Sequence, residues 1–396
     1  MKPSTLYLSY TGLLEPLGRS QILAYLSRLS ENYSITLVSF EKRSDFEKKS
    51  DVQELKRECI ELGIIWKPRI YHHRPRLLAT IWDLTILFWD TFRFTSSNKV
   101  KLVHCRSYIP AIAAWLVGKI TRTPFIFDMR ALWPEEMIDA GRLKRKSVVY
   151  KTLKYLERKL LINSASNISL TNVAVPYLVN TIPHLSKDKF TVIPTCVDLV
   201  RFDSSFNTGG HHSNSKLGTM GTVISGWYHL DWLFKTLKIS ENIFTQSEFK
   251  VVTRDEQHKL NHFANSYNLS CFSVEQCSAN EVQSSIDELK FGILYFTAGI
   301  SKIGSAPTRM AEFLACGKPI LGNRGVGDMA DLIEKYNVGV VIEDGSDEEI
   351  TRGLKLMYDF LLEPDYPERC RKAAVELFSA DVGAEKYHRV YEKCIK

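Results

Sequence analysis

The chain has eight cysteines in 396 residues, none in a C-x-x-C pair or at zinc-ligand spacing, so neither a disulfide scaffold nor a zinc module is expected. Several, as in VHCRS and LACGK, sit in apolar runs, which fits buried thiols in a reducing compartment. No charged segment followed by an apolar run opens the sequence, so no secretory leader is expected. Long hydrophobic runs are missing too. The longest uncharged stretch, 160–186, holds Asn163, Asn167, Asn172, Asn180, Pro176 and Pro183, whereas a spanning helix needs about 20 predominantly apolar residues. There is no low-complexity tract, no internal repeat, no G-x-G-x-x-G fingerprint, and no serine, histidine and acid in a recognisable nucleophile motif. These absences predict a soluble cytoplasmic protein.

What is present is ordinary globular composition, 44% hydrophobic and 24% charged, which excludes disorder and fibrous architecture. Lys and Arg exceed Asp and Glu by 52 − 45 = 7, a mild basic surplus. Short β-rich runs alternate with longer amphipathic ones. TLYLSY (5–10), SITLVSF (34–40), KLVHC (101–105), FIFDM (125–129), NISLT (167–171) and FTVIP (190–194) read as strands. The pattern stops at 203–215, SSFNTGGHHSNS and its neighbours, which reads as a linker. It restarts with strands at 216–221, 249–253, 290–296, 318–323 and 338–342. The expected fold is α/β: two Rossmann-like, doubly wound parallel domains facing a central cleft. The expected boundaries are 1–202, linker 203–215, 216–379, and a final helix in 380–396.

In open α/β sheets ligands bind outside the carboxyl ends of the strands, so chemistry is sought in the strand-to-helix loops. The segment TAGISKIGSAPTRMAEFLACGKPILGNRGVGD (297–328) is the most informative. A strand feeds a loop containing Lys302, Gly304 and Ser305. Pro307 then stands at a first helical position with Ser305 as cap, followed by Thr308 and Arg309. Free N–H groups and the positive dipole end at such a helix start suit a phosphate. Glu312, one turn in, can accept two hydrogen bonds from a ribose diol. The bland alternative is an ordinary turn with a surface glutamate.

PTRMAEFLACGKPIL followed by GVGD resembles the donor-nucleotide region of GT-B-fold glycosyltransferases of the family 4-like (group 1) type. LYLSYTGLLEPLGRSQILAYLSRLS, VHCRSYIPAIAAWL and VIPTCVDLVRF are similar to further passages of that family, in the correct order from about residue 5 to 343. The resemblance implies a retaining transfer of sugar from a UDP- or GDP-linked donor to a glycan or lipid-linked acceptor in surface polysaccharide synthesis. It implies no cofactor and no required metal, the nucleotide-sugar being a co-substrate. It also implies that the last helix crosses back onto the N-terminal domain. Glu312 matches the second member of the family's E-x7-E pair, but Gly304 stands where the first should be. The family's Arg and Lys pair is missing from GTMGTVISGWYHLDWL, which contains Gly221; Arg254, Lys302 and Arg309 are candidate substitutes. A diphosphate leaving group gains negative charge in the transition state, which such cations stabilise.

In the N-terminal half the resemblance assigns His104 to the transferred sugar and Gly12 to a ligand-approaching loop. Arg106 follows the same strand as His104. FDMRALWPEEM brings Asp128, Arg130, Trp133, Glu135 and Glu136 after one strand, a set able to orient an acceptor hydroxyl; the alternative is a buried Arg130–Asp128 ion pair that fixes the loop. GRLKRKSVVYKTLKYLERKL (141–160) has eight basic residues and one acidic, and reads as a basic amphipathic helix suited to peripheral membrane contact. RLLATIWDLTILFWDTFRF (76–94) contains Asp83 and Asp90 and reads as a core-facing helix with its charged side in solvent. Nucleic acid is not an expected partner. Two other functions stay open: a catalytically silent scaffold of the same fold, and a nucleotide-sugar epimerase using Glu135 and Glu136.

Overall fold

The computed structural model describes residues 2–15, 18–97, 99–202, 216–245 and 247–395; the linker expected at 203–215 lies outside them. The chain divides into two units, Met1–Pro194 with Ala380–Lys396, and Thr195–Ser379. The first boundary falls ahead of the expected residue 202 for a packing reason. Val197 and Phe202 belong to the hydrophobic core of the second unit, and the Val197 N–H donates to the Phe378 carbonyl at 2.7 Å.

The first unit is built on seven strands: β1 (Ser4–Ser9), β2 (Ser34–Glu41), β3 (Ile64–Ile70), β4 (Val100–Arg106), β5 (Phe125–Asp128), β6 (Ser166–Ser169) and β7 (Phe190–Val192). Their order is β3-β2-β1-β4-β5-β6-β7, with every described pairing parallel. The helices used below are α1 (Ala24–Leu29), α2 (Arg76–Thr95), α3 (Tyr108–Thr121), α4 (Trp133–Asp139) and α5 (Val148–Asn163). The central strands are buried almost end to end, as expected of parallel strands covered on both faces. The basic helix is shorter than the 141–160 read from sequence. Ser147 caps it, accepting from the Tyr150 N–H at 3.2 Å, so Arg142–Lys146 precede the helix as a turn.

The second unit has six strands: β8 (Lys216–Met220), β9 (Phe249–Val252), β10 (Phe272–Glu275), β11 (Leu289–Leu294), β12 (Ile320–Asn323) and β13 (Gly339–Ile342), ordered β10-β9-β8-β11-β12-β13. Helices α6 (Leu230–Ser240), α7 (Thr308–Ala315), α8 (Asp347–Phe360) and α9 (Tyr366–Phe378) supply two separate hydrophobic clusters. One joins α7 and α9, the other α6 and α8, so the sheet is covered on both faces. Both units are therefore doubly wound Rossmann-like sheets, with order reversing between β1 and β4 and between β8 and β11. The final helix, α10 (Ala380–Cys394), returns to the first unit and packs along α1, with an Arg28–Asp381 ion pair and Tyr25 edge-on to Tyr387.

Helix 76–94 is the reverse of its expected orientation. Asp83 and Asp90 of α2 are buried while Trp82 and Trp89 lie outside. Each acid has found a partner on the sheet side. Asp83 accepts from the Tyr10 hydroxyl at 2.8 Å and lies 2.6 Å from His72 Nδ1; Asp90 takes two hydrogen bonds of 2.7 Å from Arg69.

Helix α7 sits where it does because Gly292 of β11 has no side chain: a Cβ there would fall 2.8 Å from the Phe313 ring. Gly292→Ala should therefore push α7 off the sheet and cost about 1–3 kcal/mol of stability. Calorimetric melting should show the loss, at roughly 2–4 °C per kcal/mol; an unchanged transition would mean that α7 does not depend on this close approach.

Candidate functional site

On the second unit the loops after β8, β9, β11 and β12 meet at the carboxyl edge of the sheet. Pro307 is the N-cap residue of α7 rather than its first helical residue, and Thr308 opens the helix. Ser305 does not cap it; its N–H closes the preceding turn onto the Lys302 carbonyl at 3.1 Å. No side chain caps the start of α7, so its dipole end is served by backbone alone. Glu312 lies one turn in, 14% exposed and ion-paired with Arg309. Arg309 also reaches Met220 Sδ at 3.2 Å and lies over Gly221, where a Cβ would come within 3.4 Å of its Nε. Gly221 has φ +117°, a conformation open to glycine but not to L side chains. Gly221, Arg309 and Glu312 are thus brought together. Burial pushes the Glu312 carboxyl above its ordinary pKa, with Arg309 and Arg201 pulling it back.

Of the other expected cations, Lys302 is drawn inward and Arg254 stays at the carboxyl end of its strand. Lys302 is buried, its ammonium 3.8 Å over the Trp227 ring, and it does not flank the helix start as a phosphate cation. Arg254 is exposed at the end of β9, but the next residue turns inward. Asp255 accepts the Val223 and Ile224 N–H groups at 2.7 and 2.9 Å, pinning the loop that begins at Gly221. Sequence reasoning missed Asp255; its only signal was an acid two residues after a strand.

In the first unit, strand register puts Tyr7 beside His104 and Arg106 beside Asp128. His104 is 2% exposed and Asp128 fully buried. Helix α10 closes over them: His104 Nδ1 lies 2.7 Å from the Tyr391 hydroxyl, and the Tyr387 hydroxyl donates to Asp128 Oδ2 at 2.9 Å. His104 Nε2 is 3.5 Å and an Arg130 nitrogen 3.8 Å from the same oxygen. Arg130, held at φ +61°, also donates to Gln21 at 2.9 Å. The buried Arg130–Asp128 alternative is what forms here, and it corrects the reading of Asp128 as an acceptor-orienting group. His104 likewise faces tyrosines rather than an open surface. Arg106 is buried with one guanidinium nitrogen unpartnered.

Glu135 is also committed to structure. It accepts from the Tyr150 hydroxyl at 2.7 Å and pairs with Arg145 at 3.1 Å and Lys154 at 3.5 Å. Trp133 is half-buried against Tyr108, ring centroids 5.4 Å apart. Gly12 lies against Glu41, which accepts the Leu13 and Leu14 N–H groups at 2.8 and 3.0 Å. Among the described residues no group of three or more His, Cys, Asp or Glu could hold a metal. A shallow open depression lined by Lys101, Arg122 and Lys393 lies where β4 begins, at the opposite edge of the sheet.

Burial holds the His104 pKa below its ordinary value, with Asp128 partly offsetting. Burial pushes Asp128 up, but Arg130, His104 and Arg106 together hold it below the usual carboxylate range. The unfolded histidine takes a proton at about pH 6.5 while the folded one does not, so stability is full above that pH and falls as pH drops through it, by at most about 1.4 kcal/mol per pH unit. The Asp128 contribution persists further down, until pH falls through its depressed folded pKa. Melting temperature against pH should therefore decline below about 6.5 in the wild type and stay flatter in His104→Gln; parallel curves would contradict the assignment.

No protein-family model matches the sequence, and no curated protein does. Solved structures do match over the whole chain. A glycosyltransferase from Rickettsia africae is 14% identical with TM-score 0.71, covering 100% of both chains. Anabaena HepE, in complex with UDP and glucose, is 12% identical with TM-score 0.67, covering 98% of this chain and 99% of that one. WaaG, a glycosyltransferase involved in lipopolysaccharide biosynthesis, is 14% identical with TM-score 0.63, covering 96% and 98%. The chain has the two-domain GT-B fold of glycosyltransferases.

Proposed function

We propose that the protein is a retaining glycosyltransferase that takes a UDP- or GDP-sugar and extends a glycan or lipid-linked acceptor in surface polysaccharide synthesis, without a required metal. The observation that carries the reading is the Gly221–Arg309–Glu312 group beneath the uncapped start of α7. It offers a carboxylate for a ribose diol, a cation and helix dipole for a diphosphate, and a glycine where backbone can approach the ligand. Binding would exchange Arg309 from Glu312 to phosphate while Glu312 takes the ribose. In the reaction the sugar–diphosphate C–O bond breaks and a bond to the acceptor oxygen forms on the same face. The acceptor proton leaves on a diphosphate oxygen, and Arg309 meets the charge that develops there. On the first unit, Arg106 ends β4 and Arg130 follows β5, with Asp128 holding Arg130. Arg254, exposed at the end of β9, is a further candidate for the donor phosphates.

HepE binds UDP and glucose and WaaG acts in lipopolysaccharide biosynthesis, which supports this class of donor and acceptor. No described helix is long and apolar enough to cross a membrane. Contact with the cytoplasmic membrane face through 141–160 is part of the same reading: the one acid of that stretch, Glu157, turns inward onto Tyr108 at 2.7 Å and takes Lys154 with it, while Arg142, Lys144, Arg145, Lys146, Lys151 and Arg158 stay exposed. The epimerase alternative weakens because Glu135 is buried and paired. A silent nucleotide-binding subunit is the second reading, motivated by Gly304 and by a Lys302 held on Trp227.

Calorimetric titration of UDP, GDP, ADP and their sugars, in EDTA, tests the site. One nucleotide should bind the wild type and weaken at least tenfold in Glu312→Ala, since hydrogen bonds to a charged group contribute about 1.5–3 kcal/mol each. No binding at millimolar concentration defeats the donor site. Binding without donor hydrolysis or transfer establishes the silent subunit.

A further inference from the structure

Helix α2 carries its charge inside and its apolar surface outside. Along its outward face Leu78, Trp82 and Trp89 follow one another at spacings of four and seven residues, so they form one stripe. Trp82 is 58% and Trp89 61% exposed, and Leu77 and Ile81 widen the stripe. The helix has 20 residues and is about 30 Å long, and the stripe from Leu77 to Trp89 runs about 18 Å of it. The neighbouring helix α3, packed against α2, adds exposed Ile120. An unpartnered apolar surface of this length marks a contact.

The surrounding charge identifies what it contacts. Residues 64–125 hold ten Lys and Arg and only two acids, Asp83 and Asp90. Both acids are buried, while Arg74, Arg93, Lys119 and Arg122 of the same helices and their flanks are exposed. A second copy docking through the same face would set those cations against their own kind. An anionic bilayer complements them, and tryptophan rings favour the zone between headgroups and acyl chains. Since no described helix can span, the helix would lie in the surface plane.

We infer that α2 is an interfacial anchor that seats the first unit on an anionic lipid bilayer, its Trp82–Trp89 stripe entering the headgroup region. The inference deepens the membrane contact of the proposed function but takes the sign of lipid charge from the cations beside α2 itself, and it is independent of sugar transfer.

The test is flotation of the full chain with phosphatidylcholine vesicles, with and without about one-third phosphatidylglycerol, for wild type, Trp82→Ser/Trp89→Ser and Arg158→Glu/Lys159→Glu. Wild type should float with the anionic vesicles and less with neutral ones, and the tryptophan variant should bind at least tenfold more weakly. Bromine-labelled acyl chains should quench wild-type tryptophan fluorescence, a reading that needs no variant. If only the α5 variant releases the protein and no quenching occurs, the anchor is refuted and the α5 contact stands. If only the tryptophan variant releases it, the anchor stands and the α5 contact fails. Wild type that floats with neither vesicle defeats both, and sedimentation showing a dimer broken by the tryptophan substitutions would assign the stripe to a second copy.

Discussion

A carboxylate sealed from water must be met by donors or it will take a proton, and Asp128 draws its partners from distant parts of the chain. His104 comes from the adjoining strand, Arg130 from the residues just after β5, and Tyr387 from the far end of the polypeptide. Removing Arg130 would leave the charge uncompensated in a medium where that is expensive, and removing Tyr387 would take away a hydrogen-bond donor. The carboxyl edge of the first sheet, the seat of α10 and the left-handed turn at Arg130 are consequences of satisfying this one group.

The second unit solves a different problem. Its ligand edge needs a helix start close to the sheet, and β11 provides the space through Gly292 while Phe313 fills it. Burying such a ring contributes about 1.5–3 kcal/mol, enough to hold the helix without help from a cap. The uncapped start and the half-buried Glu312 are then left facing the loops from β8 and β9. Asp255 fixes one of those loops by taking two of its amides, so the glycine at 221 keeps a conformation a freer loop would lose.

The central strands were legible because a parallel strand covered on both sides must be apolar throughout. Two of the edge strands were not: β3 contains Pro68 and alternates in exposure, and β10 is half-exposed. Proline is tolerated at a sheet edge, where one side of the backbone has no partner. Glu312 and Arg309 were legible because they fall at fixed places on a periodic helix. Lys302 was not, since its burial depends on Trp227, distant in sequence. The orientation of α2 was hidden for the same reason. Periodicity shows that a helix has two faces, but Tyr10, Arg69 and His72 decide which of them goes inward.

The return of α10 to the first unit has a consequence for the order of events during synthesis. Thr195–Ser379 is topologically an insertion between the body of the first unit and its own last helix, and the Val197–Ser379 bridge ties the outgoing and returning strands together. Domains generally fold as they emerge, N-terminal first. Here the N-terminal unit leaves the ribosome with Asp128 and His104 still uncovered and must wait through the whole second domain. Its closing piece is the fifteen residues of α10, which follow the second domain. The first domain to begin folding is thus the last to finish, and a chain that stops early is left with an exposed buried charge rather than a smaller protein.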